Sequence, residues 1–109
     1  MEMNDYQKQA RSTAVYPKIG HNIVYVALGL AGEAGEVAEQ VKKIFRDDGG
    51  IITEERNKKL VKELGDVLWY TSQVAFELYT TLNTVAKENL AKLDQRRKEG
   101  KLHGSGSNR

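Results

Sequence analysis

Two acid pairs placed as mirror images about a glycine turn constrain this chain more than any other feature. Gly32-Glu33-Ala34-Gly35-Glu36 lies in one amphipathic segment, Glu63-Leu64-Gly65-Asp66 lies in the next, and Asp47-Asp48-Gly49-Gly50 joins them. Within each pair the spacing is i, i+3, which on a helix sets both carboxylates on one face about one turn apart. In an antiparallel helical hairpin turning between Gly49 and Gly50, Glu36 stands level with Glu63 and Glu33 with Asp66. Four carboxylates at one level repel one another unless a cation sits among them. The expectation is a divalent-metal site on an all-α scaffold.

The remaining pattern is helical throughout. Asn4 is the expected N-cap of a first helix, with Gln7 completing a capping box, and that helix should stop before Pro17. Asn22 should cap a second helix over residues 23–46, where Leu30, Ala34, Val37, Val41 and Ile44 recur as an inward stripe. Beside that stripe runs a polar one of Glu33, Glu36, Gln40 and Lys43. Thr53 should cap a third helix, residues 54–79, burying Leu60, Leu64, Val67, Leu68, Thr71, Val74, Ala75 and Leu78. Its own polar stripe of Glu63, Asp66, Tyr70, Gln73 and Glu77 should meet the first. Thr81 caps a last helix, residues 82–98, with Leu82, Val85, Ala86, Leu90 and Leu93 inward and Asn89, Lys92 and Arg96 as a polar row. Gly29, Gly32, Gly35 and Gly65 each cost a helix about 1 kcal/mol relative to alanine, which predicts close approach of a second helix or a ligand beside the acids.

Composition bounds the reading. At 109 residues the chain is expected to be a single domain, spanning 1–109 with a Gly/Ser-rich tail at 100–109, and small enough that a partner subunit would help bury its apolar surface. It has no cysteine, hence no disulfide and no thiolate metal site. Its longest apolar run is too short to span a bilayer, and residues 1–5 lack signal-peptide character, so a cytoplasmic protein without membrane association is expected. The net charge of +2 divides into +4 over residues 96–109 and −2 over the body. That basic segment lacks interleaved aromatics, which argues against nucleic acid as a partner.

Hard oxygen donors without cysteine or paired histidines favour Mg²⁺, with Mn²⁺ as the alternative. Sites of this kind leave coordination positions for water and substrate phosphates, so the chemistry they permit is hydrolytic phosphoryl or nucleotidyl transfer. A glutamate of the set can then orient or deprotonate the attacking water. Trp69 and Tyr70 are candidates to line a base pocket, and Lys43, two turns beyond Glu36, is a candidate phosphate contact. A di-iron bundle would need Glu-x-x-His motifs, which the chain lacks.

The segments from Gly29 to Glu39 and from Lys62 to Tyr70 resemble the MazG-type nucleoside triphosphate pyrophosphohydrolases, in a small single-domain branch. The family pattern is Glu-Glu-x-x-Glu, a spacer, then Glu-x-x-Asp. Glu33, Glu36, Glu63 and Asp66 match its metal-binding and catalytic acids, and Gly32 stands where the first glutamate would be. Tyr6-Gln7, Tyr16-Pro17 and Asn22 are similar to the branch's N-terminal part, and Asn89-Leu90-Ala91-Lys92-Leu93 with Arg96 to its last-helix motif. Asn89 and Lys92 match nucleotide-contacting positions.

The resemblance implies an oligomeric helical bundle built on a long antiparallel hairpin with flanking N- and C-terminal helices. It implies a homodimer or homotetramer whose sites a neighbouring subunit completes, and a Gly-rich tail able to fold over phosphates. The implied reaction cleaves a nucleoside triphosphate, in particular a deoxynucleotide, to the monophosphate and pyrophosphate, as nucleotide-pool housekeeping. Two other readings stand beside it: a non-catalytic helical interaction module with surface acids, and a related hydrolase acting on diphosphate-containing substrates.

Overall fold

The computed structural model describes residues 1–100, so the tail from Lys101 onward lies outside the described residues. Four helices make up the fold: α1 (Met3–Arg11), α2 (Ile23–Asp47), α3 (Glu54–Glu77) and α4 (Leu82–Lys98), with no strand among the described residues. α2 and α3 form the most extensive packing, an antiparallel hairpin, while α1 lies against both α3 and α4.

Local chemistry accounts for the ends of the hairpin. Asn22 Oδ1 accepts the Tyr25 N–H at 3.1 Å and Thr53 Oγ1 accepts that of Arg56 at 3.2 Å. At the turn, Gly49 and Gly50 take φ of 64° and 81°, a left-handed geometry that residues with a Cβ adopt only under strain. The Gly50 N–H thereby returns to the Ile44 carbonyl at 3.1 Å, closing the end of α2. Arg56 then ties the turn to α3, with Nε 2.8 Å from Asp48 and the guanidinium 3.7 Å from Asp47.

The register about this turn is the expected one, and it can be followed along the whole hairpin. A Cβ built on Gly29 would lie 2.1 Å from the Tyr70 ring, its level partner. Farther from the turn, the Asn22 N–H donates to Glu77 Oε1 at 2.6 Å. Val26 and Gln73, level with each other between those pairs, are both fully buried.

The rotation of the helices differs from expectation. On α2, Ile44 is buried and Leu30 and Val37 are half-buried, but Ala34 and Val41 are exposed. On α3, Ala75 is buried and Leu60, Val67, Thr71 and Val74 are half-buried, whereas Leu64, Leu68 and Leu78 face out and Ser72, Gln73 and Glu77 are buried. The hairpin closes over part of its polar stripes and leaves much of its apolar stripe outside.

α1 departs from expectation too. Glu2, not Asn4, is its N-cap, with Asp5 completing the box. Asn4 reaches across to accept the Asn83 N–H at 3.0 Å, and Gln7, buried, bonds both the Thr80 carbonyl (3.1 Å) and the Leu82 N–H (2.7 Å). Two α1 side chains thus satisfy orphan backbone donors at the start of α4, beside the expected Thr81 cap. Leu82 is buried and Ala86 and Leu93 are half-buried, but Val85 and Leu90 are exposed and Arg96 is buried.

Candidate functional site

Glu33 of α2 and Glu63 and Asp66 of α3 each bring a carboxylate oxygen to within 4.8 Å of the other two. Glu33 and Glu63 are half-buried and Asp66 is exposed, so the cluster is open to solvent rather than enclosed in the core. Burial raises the Glu33 pKa above the ordinary glutamate value, and the charges of Asp66 and Glu63, a hydrogen bond with Glu63 and the charge of Glu36 add to the rise. Glu36 lies outside the close group of three, exposed on the next turn.

These residues fit a hard divalent cation. Around an octahedral Mg²⁺ with bonds of about 2.1 Å, ligand oxygens stand about 3.0 Å (adjacent) or about 4.2 Å (opposite) apart, so the three carboxylates would draw together to supply part of the shell and leave the rest to water and phosphate oxygens. The crowding of negative charge at Glu33 would be relieved by positive charge placed among the carboxylates. Two turns from Glu33 toward the hairpin turn, Gln40 holds its Oε1 buried without a hydrogen-bond partner, one more oxygen donor near the interface.

The proposed ligand contacts divide into those the fold gathers and those it keeps apart. Tyr70 lies beside the acids: burial raises its pKa first, then the neighbouring Tyr25 and the charge of Glu33. Its ring packs over Gly29 and meets the Trp69 ring edge-on at 5.0 Å. Trp69 uses its indole N–H on Thr13 Oγ1 at 2.9 Å, which ties the end of α1 to α3. Lys43 is half-buried on the turn side of the acids. Asn89 and Lys92 line another cleft, of about 450 Å³, with Thr80, Thr84, Val85 and Glu88. Thr80 lies beyond the C-terminal end of α3, whose last residue, Glu77, is already about three turns from Asp66. Arg96 is buried on the last turns of α4.

The glycines correct one expectation. Of these four helical glycines Gly29 alone is crowded by another element, whereas at Gly32, Gly35 and Gly65 no atom lies within 4 Å of where a methyl carbon would stand, so bare backbone faces open space.

Sequence reasoning missed two features. Tyr25, stacked on Tyr16 at 5.3 Å, is the hydroxyl neighbour of Tyr70. Glu77, read as part of a polar stripe, is the hub of a buried network: it accepts hydrogen bonds from the Tyr16 hydroxyl and from the N–H groups of Gly20 (2.7 Å) and Asn22 (2.6 Å). Arg11 stands 4.0 Å away, donates to Gln73 and Tyr16 at 2.8 Å, and lies over the Phe76 ring. Burial alone would raise the Glu77 pKa. The bonds from Tyr16, Asn22 and Gly20 and the charge of Arg11 outweigh it and hold the carboxyl below the ordinary glutamate value. The available signal was position, since Glu77 is level with the Asn22 cap.

Comparison with known proteins agrees with this geometry. A model of the MazG nucleotide pyrophosphohydrolase domain matches residues 24–100, a span running from the start of α2 past the end of α4. The "Gene 37 protein" of Mycobacterium phage L5 is 47% identical over 114 aligned positions covering all of both chains. No solved structure matches. With the acid cluster inside the matched span and a relative aligned from end to end, the chain belongs to the MazG nucleotide pyrophosphohydrolase domain family.

Proposed function

We propose that this protein is a metal-dependent nucleoside triphosphate pyrophosphohydrolase, acting on deoxynucleotides in particular and releasing the monophosphate and pyrophosphate. The observation that carries the reading is the meeting of Glu33, Glu63 and Asp66, from two helices, with oxygens within 4.8 Å. Among the described residues none of the three makes an ion pair.

Mg²⁺, or Mn²⁺ in its place, would be held by Glu33, Glu63 and Asp66 and would supply charge neutralisation for the phosphates. Glu36, outside the close group, has carboxylate oxygens free to orient the attacking water and take its proton. The water oxygen bonds to phosphorus, the bridge between the α and β phosphates breaks, and the bridging oxygen leaves on pyrophosphate. Tyr70 and Tyr25, on the far side of the acids from the hairpin turn, would meet the nucleoside, with Trp69 against Tyr70.

The active form is a homodimer or homotetramer. Asn89, Lys92 and Arg96 lie on α4, and the cleft of the first two contains none of the acids, so these residues act at the site of a neighbouring copy. In support, Leu28, Phe45, Leu64 and Leu90 are each more than half exposed, apolar surface that a second copy would cover. No helix among the described residues is long and apolar enough to cross a membrane. A cytoplasmic nucleotide-pool role follows from the proposed substrate.

The test is chromatographic product analysis over ribo- and deoxynucleoside triphosphates, with Mg²⁺ present or chelated. Metal-dependent monophosphate plus pyrophosphate is expected. Diphosphate plus orthophosphate would contradict the reading, and turnover confined to diphosphate-containing substrates would shift it to the related hydrolase.

A further inference from the structure

Glu77 stands about three turns along α3 from Asp66, yet two routes lead from its carboxylate to one ring near the acids, that of Tyr25. Its Oε1 accepts the Asn22 N–H at 2.6 Å, and Asn22 caps α2 by accepting the Tyr25 N–H at 3.1 Å, which fixes the backbone of the first turn. Its Oε2 accepts the Tyr16 hydroxyl, and the Tyr16 ring lies on the Tyr25 ring, centroids 5.3 Å apart and planes 10° from parallel. Arg11 donates to the same Tyr16 hydroxyl at 2.8 Å. Tyr16, 6% exposed, is thus gripped from both α1 and α3.

Tyr25 differs from Tyr16 in kind. It is 42% exposed, so it adds little to the core. It precedes Gly29 by one helical turn, and the missing side chain of Gly29 is what makes room for the Tyr70 ring. Tyr70 has the Tyr25 hydroxyl as a hydrogen-bonding neighbour and stands beside Glu33. Three rings from three parts of the chain therefore run in order from Glu77 toward the acids: Tyr16 in the connection after α1, Tyr25 on α2 and Tyr70 on α3. A tyrosine this open on a helix has more than one staggered χ1 available, and a near-parallel neighbour on one face selects among them.

We infer that Tyr16 is a positioning residue for nucleoside recognition: gripped by Glu77 and Arg11, it holds the Tyr25 ring in the orientation that, together with Tyr70, receives the nucleoside of the substrate. This rests on the proposed hydrolase reading and names a residue that acts on its site through another side chain. Filling the space at position 16 would need only an apolar group of the right volume. Stacking on a ring that is itself nearly half exposed is what filling space does not require. A ring ordered before the ligand arrives removes the cost of ordering it on binding, so the gain falls on the nucleoside and not on the phosphates.

The experiment is calorimetric titration of the full-length protein in Mg²⁺ with deoxynucleoside α,β-imidotriphosphates, whose α–β bridge resists hydrolysis, and with inorganic triphosphate, which carries the phosphates alone. Wild type, Tyr16→Leu, Tyr16→Phe, Tyr25→Leu and the Tyr16→Leu, Tyr25→Leu double variant are compared. Tyr16→Leu should weaken the best-bound analogue about fivefold and leave triphosphate within about twofold, with Tyr16→Phe, which keeps the ring, recovering most of the loss. In the Tyr25→Leu background, Tyr16→Leu should have no further effect, because it acts through that ring. Tyr16→Met, which fills the space without a ring, takes the place of Tyr16→Leu if the latter does not fold. Unchanged analogue affinity, an equal loss for both ligands, or full additivity with Tyr25→Leu would overturn the inference alone. Failure of the wild type to bind any analogue would instead count against the hydrolase reading and remove the inference with it.

Discussion

At the scale of single residues, the same substitution should act in opposite directions at four glycines of one hairpin. Gly29→Ala places a methyl inside the Tyr70 ring, so the ring must move. A net loss of about 1–2 kcal/mol is expected, overpacking outweighing the gain in helix propensity. Gly32→Ala, Gly35→Ala and Gly65→Ala meet no neighbour within the protomer and should gain up to about 1 kcal/mol each in urea denaturation. Where one of them stabilises the protein yet abolishes turnover, the bare backbone is reserved for substrate or for a second copy. Glu77 is the other decisive residue. Its carboxyl titrates below the ordinary glutamate value of 4.5, so its contribution is complete above that value and is lost as pH falls through the lowered one. Glu77→Ala leaves the Tyr16 hydroxyl and two backbone N–H groups without their acceptor and Arg11 without its countercharge, and should cost about 3 kcal/mol, roughly 12 °C or more in Tm. Glu77→Gln should flatten the acid limb of the stability profile measured by denaturant midpoint between about pH 3 and 6.

At the scale of elements, α4 depends on α1 through Gln7. Gln7→Ala removes the partners of the Leu82 N–H and the Thr80 carbonyl, and a loss of about 1–3 kcal/mol is expected. Amide exchange should accelerate first at the start of α4, and uniform acceleration along the hairpin would show that α1 does not hold α4 separately. Caps and register are readable from sequence because both are local: Asn22, Thr53 and Thr81 each precede a periodic run, and a two-glycine turn sets which residues are level. Helix rotation is not readable. On each hairpin helix an apolar stripe and a polar stripe lie side by side, and periodicity alone does not say which edge faces the partner helix. Leu64 reads as core by its spacing and is 55% exposed, while Gln73, read as polar surface, is fully buried beneath Arg11. The acids are legible because they straddle the boundary between the stripes. Asn4 reads as a cap because its actual contact, Asn83, is remote in sequence.

At the scale of the whole molecule, the outward leucines are the counterpart of the buried polar network. Leu28, Phe45, Leu64 and Leu90 are each more than half exposed, on three helices. A stable dimer buries about 800 Å² per partner, and outward apolar side chains such as these are what it would cover. Sedimentation should therefore give a dimer or a larger assembly for the wild type, and Leu28→Glu with Leu64→Glu should shift it toward monomer while circular dichroism stays helical. A wild-type monomer at micromolar concentration would contradict the proposed assembly. The central claim is that the carboxylates meeting across the hairpin carry out the chemistry. Its most direct test is phosphorus NMR of a deoxynucleoside triphosphate incubated with Mg²⁺ and either wild-type protein or Glu63→Gln matched for fold and assembly. The account predicts monophosphate and pyrophosphate from the wild type and a rate at least about 100-fold lower from the variant. Equal rates from the two proteins would contradict it.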